Sequence, residues 1–153
     1  MGRIISFRGL AESEDTIRLS LSTNDGKTGY KIRKFELFPH KPGTQDAEDV
    51  MKLYKTQPSE EDSILPGLGI VDFSNQRLIA ATFLSAGASI AYSSSQVIVF
   101  DNEKFNQDLY LTYVDSNSND KFANYYIELE VMDLALDEAT VATLKDIRNT
   151  RSS

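Results

Sequence analysis

Strict two-residue alternation constrains this chain more than any other feature of its sequence. Tyr125, Ile127, Leu129 and Val131 alternate with Tyr126, Glu128, Glu130 and Met132, the period of a strand with one face in a core and one in water. The same period runs through Leu109, Leu111 and Tyr113 against Tyr110, Thr112 and Val114. Between them, Asp115–Asn124 is a tract of Asp, Ser and Asn that favours turns and offers little core. The spacing predicts a long antiparallel hairpin and an all-β fold.

Further strands follow from the same reasoning. Arg3–Arg8 alternates Ile5 and Phe7 against Ile4 and Ser6, which suits a first strand or an arm that pairs elsewhere. Ile17, Leu19 and Leu21 alternate with Arg18, Ser20 and Ser22, and this run stops at the turn-forming cluster Ser22–Gly26. In Tyr30–Phe38, Tyr30 and Ile32 are on one phase and Phe35 and Leu37 on the other, which predicts a bulge near Arg33 and Lys34. Pro39 and the pair Pro42 and Gly43 end it.

Asp46–Lys55 satisfies two patterns, because Ala47, Val50, Met51 and Tyr54 fall at helical spacing while Met51 and Leu53 alternate with Lys52 and Tyr54. We favour a strand over Val50–Thr56, returning as a hairpin after the Pro-Gly turn, with a helix as the alternative. Gln57–Gly69, with Pro58, Pro66, Gly67, Gly69 and three consecutive acidic residues, reads as an exposed loop. Ile70–Phe73 and Leu78–Leu84 read as strands, Ser85–Ser95 as a Ser, Ala and Gly-rich crossing, and Val97–Phe100 as a short strand buried on both faces. After Leu136 the period changes: Val141, Leu144 and Ile147 recur every third residue and Asp137 can cap the start, predicting a helix over 137–149. Residues 1–153 then form one antiparallel β-sandwich domain, jelly-roll-like, with an N-terminal strand or arm and a short C-terminal helix.

Composition bears on function chiefly by exclusion. With 41% hydrophobic residues over 153 positions, one well-buried core is affordable. The balance of 16 basic against 23 acidic side chains gives −7, which repels phosphate backbones and anionic lipid, so neither nucleic acid nor membrane is an expected partner. There is no cysteine, hence neither disulfide nor thiolate metal site. No basic segment leads into an apolar run, and eighteen consecutive apolar residues occur nowhere, so we expect neither secretion signal nor membrane span.

No catalytic signature is legible. His40 is the single histidine, in the turn Pro39–Gly43, so a multi-histidine metal site is excluded and a structural or surface role is expected. Gly67 and Gly69 lack the third glycine and the strand-to-helix setting of a phosphate cradle. Glu128 and Glu130 share a strand face, and alternation alone accounts for them. Asp115, Asn117 and Asn119 space oxygen ligands as a calcium loop begins, yet the sixth position is Asp120 rather than Gly and the twelfth is Tyr126 rather than Glu. We therefore expect no enzyme, cofactor or metal, and a protein that works through contacts. Tyr110 and Tyr126, sent by alternation to the faces opposite Leu111 and Ile127, are the candidate contact residues. The apolar stripes Ile4, Ile5 and Phe7 and Val141, Leu144 and Ile147 are added as subunit-interface candidates in a homo-oligomer.

Three stretches also carry a resemblance. Gly2–Gly9 leading to Leu19–Gly26, Val99–Glu103 with Phe105–Asp108, and Asn124–Glu130 followed by Ala139–Arg148 together resemble a family of small virion structural proteins of marine tailed bacteriophages, including cyanophages. The likeness extends over nearly the whole chain. It implies a particle component assembled in bacterial cytoplasm, foremost a capsid-surface cement or decoration subunit binding other virion proteins such as the major capsid protein. A tail or adsorption component is the alternative it leaves open, and a carbohydrate-binding β-sandwich using the tyrosines is an alternative of another class. The broken calcium pattern yields a direct expectation: titrating the protein with calcium in a calorimeter gives no stoichiometric, chelator-reversible heat.

Overall fold

The computed structural model describes residues 3–23, 26–41, 47–58, 70–86, 94–100, 103–116 and 122–134. Eight strands occupy them: β1 (Arg3–Glu12), β2 (Thr16–Leu19), β3 (Thr28–Pro39), β4 (Ala47–Tyr54), β5 (Leu78–Ala86), β6 (Ser94–Val99), β7 (Leu109–Asp115) and β8 (Phe122–Asp133). No helix occurs among the described residues. The expected helix at 137–149, and with it Val141, Leu144 and Ile147, lies outside them.

The strands form two antiparallel sheets, ordered β1-β8-β3 and β2-β7-β4-β5-β6. β7 and β8 therefore do not pair with each other, which corrects the expected hairpin. The physical reason is that each strand buries one complete side-chain phase. Placed in opposite sheets, Leu109, Leu111 and Tyr113 meet Ile127 and Leu129 across one apolar cluster, a burial that alternation allows as readily from two sheets as from one. The expected β3–β4 hairpin fails for the same reason, since β3 lies in one sheet and β4 in the other. Segment 47–54 is nonetheless a strand, with Met51 and Leu53 fully buried on its inner phase.

Within the three-stranded sheet β8 is central, and its inner residues are matched on both sides. Leu129 lies between Ile5 and Ile32, Ile127 between Phe7 and Phe35, and Tyr125 between Gly9 and Leu37. A methyl group on Gly9 would come within 2.8 Å of the Tyr125 hydroxyl, so the missing side chain makes room for the ring. The ladder between β3 and β8 shifts between Ile32 and Lys34, the bulge expected there, and this shift brings both Ile32 and Phe35 to the core. β3 packs against β5 and β1 against β7, giving a β-sandwich-like arrangement around one core.

Two other expectations are corrected. Ile70–Phe73 is not a strand. The Asp72 carboxylate accepts from the Ser74 amide (2.9 Å) and hydroxyl (2.6 Å), and Asn75 Oδ1 accepts from the Arg77 amide (2.9 Å), so successive side-chain turns override the β propensity. β6 is an edge strand, not a strand buried on both faces: Val97 is 48% and Ile98 39% exposed. The partner sheet has only three strands and covers β6 in part, leaving Val99 against the core and Val97 in solvent.

The passage from β1 to β2 turns at Glu14, whose φ of 79° is unfavourable for a residue with a Cβ. It is held by its amide bond to the Tyr113 carbonyl (2.8 Å), while Ser13 Oγ accepts from the Asp115 amide (2.9 Å). Replacing Leu129, fully buried at the centre of β8, by alanine is expected to cost about 2–5 kcal/mol in urea unfolding. Lys34→Ala, on the exposed face of the neighbouring strand, should stay within about 0.5 kcal/mol of wild type.

Candidate functional site

The two outer faces of the sandwich differ in kind. On the five-stranded sheet, outward-pointing Lys52, Tyr54, Thr112 and Val114 are each at most 2% exposed. Lys52 Nζ donates to the Ile70 carbonyl at 2.7 Å and lies 5.7 Å from the centre of the Tyr54 ring, so the chain at Ile70 is drawn over this face. Thr112 Oγ1 is buried there with no hydrogen-bond partner among the described residues, and cross-strand register sets Thr112 directly beside Lys52. This face is closed over the middle strands β4 and β7.

The outer face of the three-stranded sheet is open. Its cross-strand rows run Ile4, Glu130, Lys31; then Ser6, Glu128, Lys34; then Arg8, Tyr126, Glu36; and last Leu10, Asn124, Phe38. Opposite charges meet in these rows, which favours the pairing of the strands. Arg33 adds an ion pair to Glu130 at 3.9 Å. Tyr126 donates its hydroxyl to Glu128 Oε2 at 2.7 Å. That bond, with some burial and the nearby negative charge of Glu128, raises the phenol above its ordinary pKa and keeps it a neutral donor. Around this polar centre Ile4 (51%), Leu10 (47%) and Phe38 (64%) expose apolar side chains. A broad face with a hydrogen-bonded tyrosine and an apolar surround suits a protein contact.

The residues singled out from sequence are distributed by this architecture. Ile4 and Tyr126 share the open face. Ile5 and Phe7, offered as interface residues, instead point inward and pack against the core, because alternation sends them opposite Ile4 and Ser6. Tyr110 is half-buried on the outer face of the other sheet, paired with Arg18 and Tyr54. Tyr110 and Tyr126 thus lie on opposite sides of the molecule and form no common platform. His40 is exposed, its ring 5.6 Å from that of Phe122. Asp115, the would-be first calcium ligand, is buried at the end of β7 and faces Asp49 across the ladder, where Asp49 accepts from the Tyr113 hydroxyl at 2.9 Å. Among the described residues, no group of three or more His, Asp or Glu side chains is arranged to hold a metal.

Sequence reasoning missed Asp108. Its carboxylate accepts from the amides of Leu21 (2.7 Å) and Ser22 (2.8 Å) and from Arg18 Nε (2.7 Å), clamping the chain that leaves β2 to the start of β7. Next to it Asn106 donates to the Gly26 carbonyl (2.9 Å), and Phe105 bridges Tyr30 through both backbone bonds. Alternation carries no signal for such a residue, since its partners lie 86 to 90 positions away. Lys55, buried and bonded to Glu103 at 2.7 Å, was hidden by the same remoteness.

No protein-family model and no curated protein matches this chain.

Burial by itself would raise the Asp108 carboxyl, but donation by the Ser22 and Leu21 amides and by Arg18 outweighs it and holds the pKa at about 2, against an ordinary 3.8. A group depressed in the folded state stabilises fully above its unfolded pKa and loses that contribution as pH falls through the folded value. Between about pH 5 and about pH 2, wild type should lose roughly 1–2 kcal/mol more than Asp108→Asn, with allowance for solvent screening at exposed Arg18. Urea melts across that range check the difference.

Proposed function

We propose that the protein is a non-enzymatic structural subunit of a bacteriophage particle, a capsid-surface cement or decoration subunit acting through protein contacts. The observation that carries this reading is the asymmetry of the sandwich. One outer face is sealed over Lys52 and Thr112, and the other presents Ile4, Leu10 and Phe38 around Tyr126. Such a face gains binding energy by covering apolar side chains while its charged rows fix orientation.

We further infer a jelly roll. β1 beside β8, β2 beside β7 and β4 beside β5 nest as one long hairpin folded over itself, and β6 lies on the edge of β5, where full nesting would set it beside β3. Jelly rolls recur in viral capsid and lectin domains, which favours the virion reading only by analogy of fold. The resemblance of Gly2–Gly9, Phe105–Asp108 and Asn124–Glu130 to small phage virion proteins points the same way. A sugar platform built from Tyr110 and Tyr126 is disfavoured by their placement on opposite sheets.

The subunit is expected to rebind particles that lack it, with occupancy read by quantitative mass spectrometry. Leu10→Asp with Phe38→Asp should leave the thermal melt unchanged, because both side chains are exposed, and lower occupancy at least about tenfold. Full occupancy by this variant would overturn the assignment of the open face.

A further inference from the structure

Four strands border the sheets, and three of their edges are guarded. β1 carries Arg3, Arg8 and Glu12. β2 has only four residues, one of them Arg18. β3 carries Lys31, Arg33, Lys34 and Glu36, is broken by its bulge, and is bridged at Tyr30 by Phe105. Charge, shortness, bulges and cover are the devices by which sheets refuse foreign strands. Among the described residues β6 has none of them. From Ser94 to Phe100 it reads SSQVIVF, without charge, proline or glycine, in a chain whose net charge is −7.

The backbone of β6 is set for pairing. The Phe100 amide donates to the Ile79 carbonyl at 2.9 Å, so by antiparallel alternation Ile98 and Gln96 bond toward β5, and Ser95, Val97 and Val99 turn their N–H and C=O groups to the open edge. Apolar side chains flank that edge on both sides: Val97 (48%) on one and Ile98 (39%) with Phe83 (36%) on the other. Phe73 continues the surface past the strand end, edge-on to Phe100 with ring centres 4.8 Å apart.

We propose that β6 pairs antiparallel with β6 of a second copy across a two-fold axis centred near Val97, joining two five-stranded sheets into one. Charge selects this occupant. A two-fold pairing sets each side chain against itself or its mirror position, so a charged edge strand would face its own charge. Two strongly acidic copies can approach here with no charge in the paired strands. Val97 meets Val97, Ser95 meets Val99, and Gln96 meets Ile98. This pairing uses a different surface from the open face and does not depend on the virion reading.

The test is the solution mass of the full chain by light scattering at roughly 100 µM, where even a modest self-affinity populates the pair. Wild type is expected at twice the 17.1 kDa chain mass, with slowed hydrogen exchange at the Val97 and Val99 amides. Val97→Pro removes an outward N–H without touching the β5 ladder, a substitution that edge strands tolerate, and Val97→Lys sets a cation against its own image. Both variants are expected at one chain mass, with fast exchange at Val99; the lysine variant keeps the test intact if proline disturbs the strand. A wild-type mass of one chain, or an assembly that survives Val97→Lys, overturns the proposal.

Discussion

The sandwich depends on the meeting of two alternating faces across a single apolar layer. Leu109, Leu111 and Tyr113 project from the middle of the five-stranded sheet, and Ile127 and Leu129 project from the middle of the three-stranded one. Each of these strands has a neighbour on both sides, so its backbone is satisfied within its sheet and its inner phase is free to be buried completely. With no cysteine to staple it, the molecule relies on this layer to hold the sheets together. Every other element is placed relative to it: β1 and β3 flank β8, β2 and β4 flank β7, and β5 and β6 extend outward from β4.

That extension makes the molecule asymmetric. Three strands cover five only in part, so on the inner phase of β6 Val99 packs against the core while Val97 stays in solvent. The outer faces differ for another reason. Buried Lys52 on β4 is bonded to the carbonyl of Ile70, tying chain across the five-stranded sheet, while β8 presents Glu128 and Glu130 outward and invites no cover. A lysine ammonium out of water requires such a partner, and the requirement itself fixes where the chain passes. The contact surfaces of the protein are what remains after these burial demands are met.

A small number of polar side chains decide how the connections run. Asp108 gathers two amides and Arg18, and so fixes the exit from β2 against the entry to β7. The Tyr30 hydroxyl donates to the Leu21 carbonyl at 2.8 Å, and the Tyr30 ring stacks on Phe105. Asp72 and Asn75 curl a stretch with strand-like composition into turns. The Asp108 bonds are charge-assisted and the Tyr30 bond is buried, which makes each worth more than an exposed neutral pair.

Local pattern determined much of the molecule. The two-residue period located β1, β2, β3, β7 and β8, the phase change in Tyr30–Phe38 located the bulge, and the turn-rich tracts separated the strands, because these properties follow from neighbouring side chains and the backbone alone, whereas the spacing in 46–55 fitted helix and strand alike. The period set Tyr126 on the same outer phase as Glu128 and Glu130, where the structure has it. Tertiary structure alone decided which strands pair: alternation says that β7 and β8 each bury one phase, and the same pattern is satisfied in one sheet or in two. Hence the expected hairpin, the inward turn of Ile5 and Phe7, the separation of Tyr110 from Tyr126, the exposure of β6 and the role of Asp108 all emerged only from the packing of the sheets. A side-chain period specifies which face is apolar; the face it meets is set by contacts between residues tens of positions apart, which no local spacing encodes.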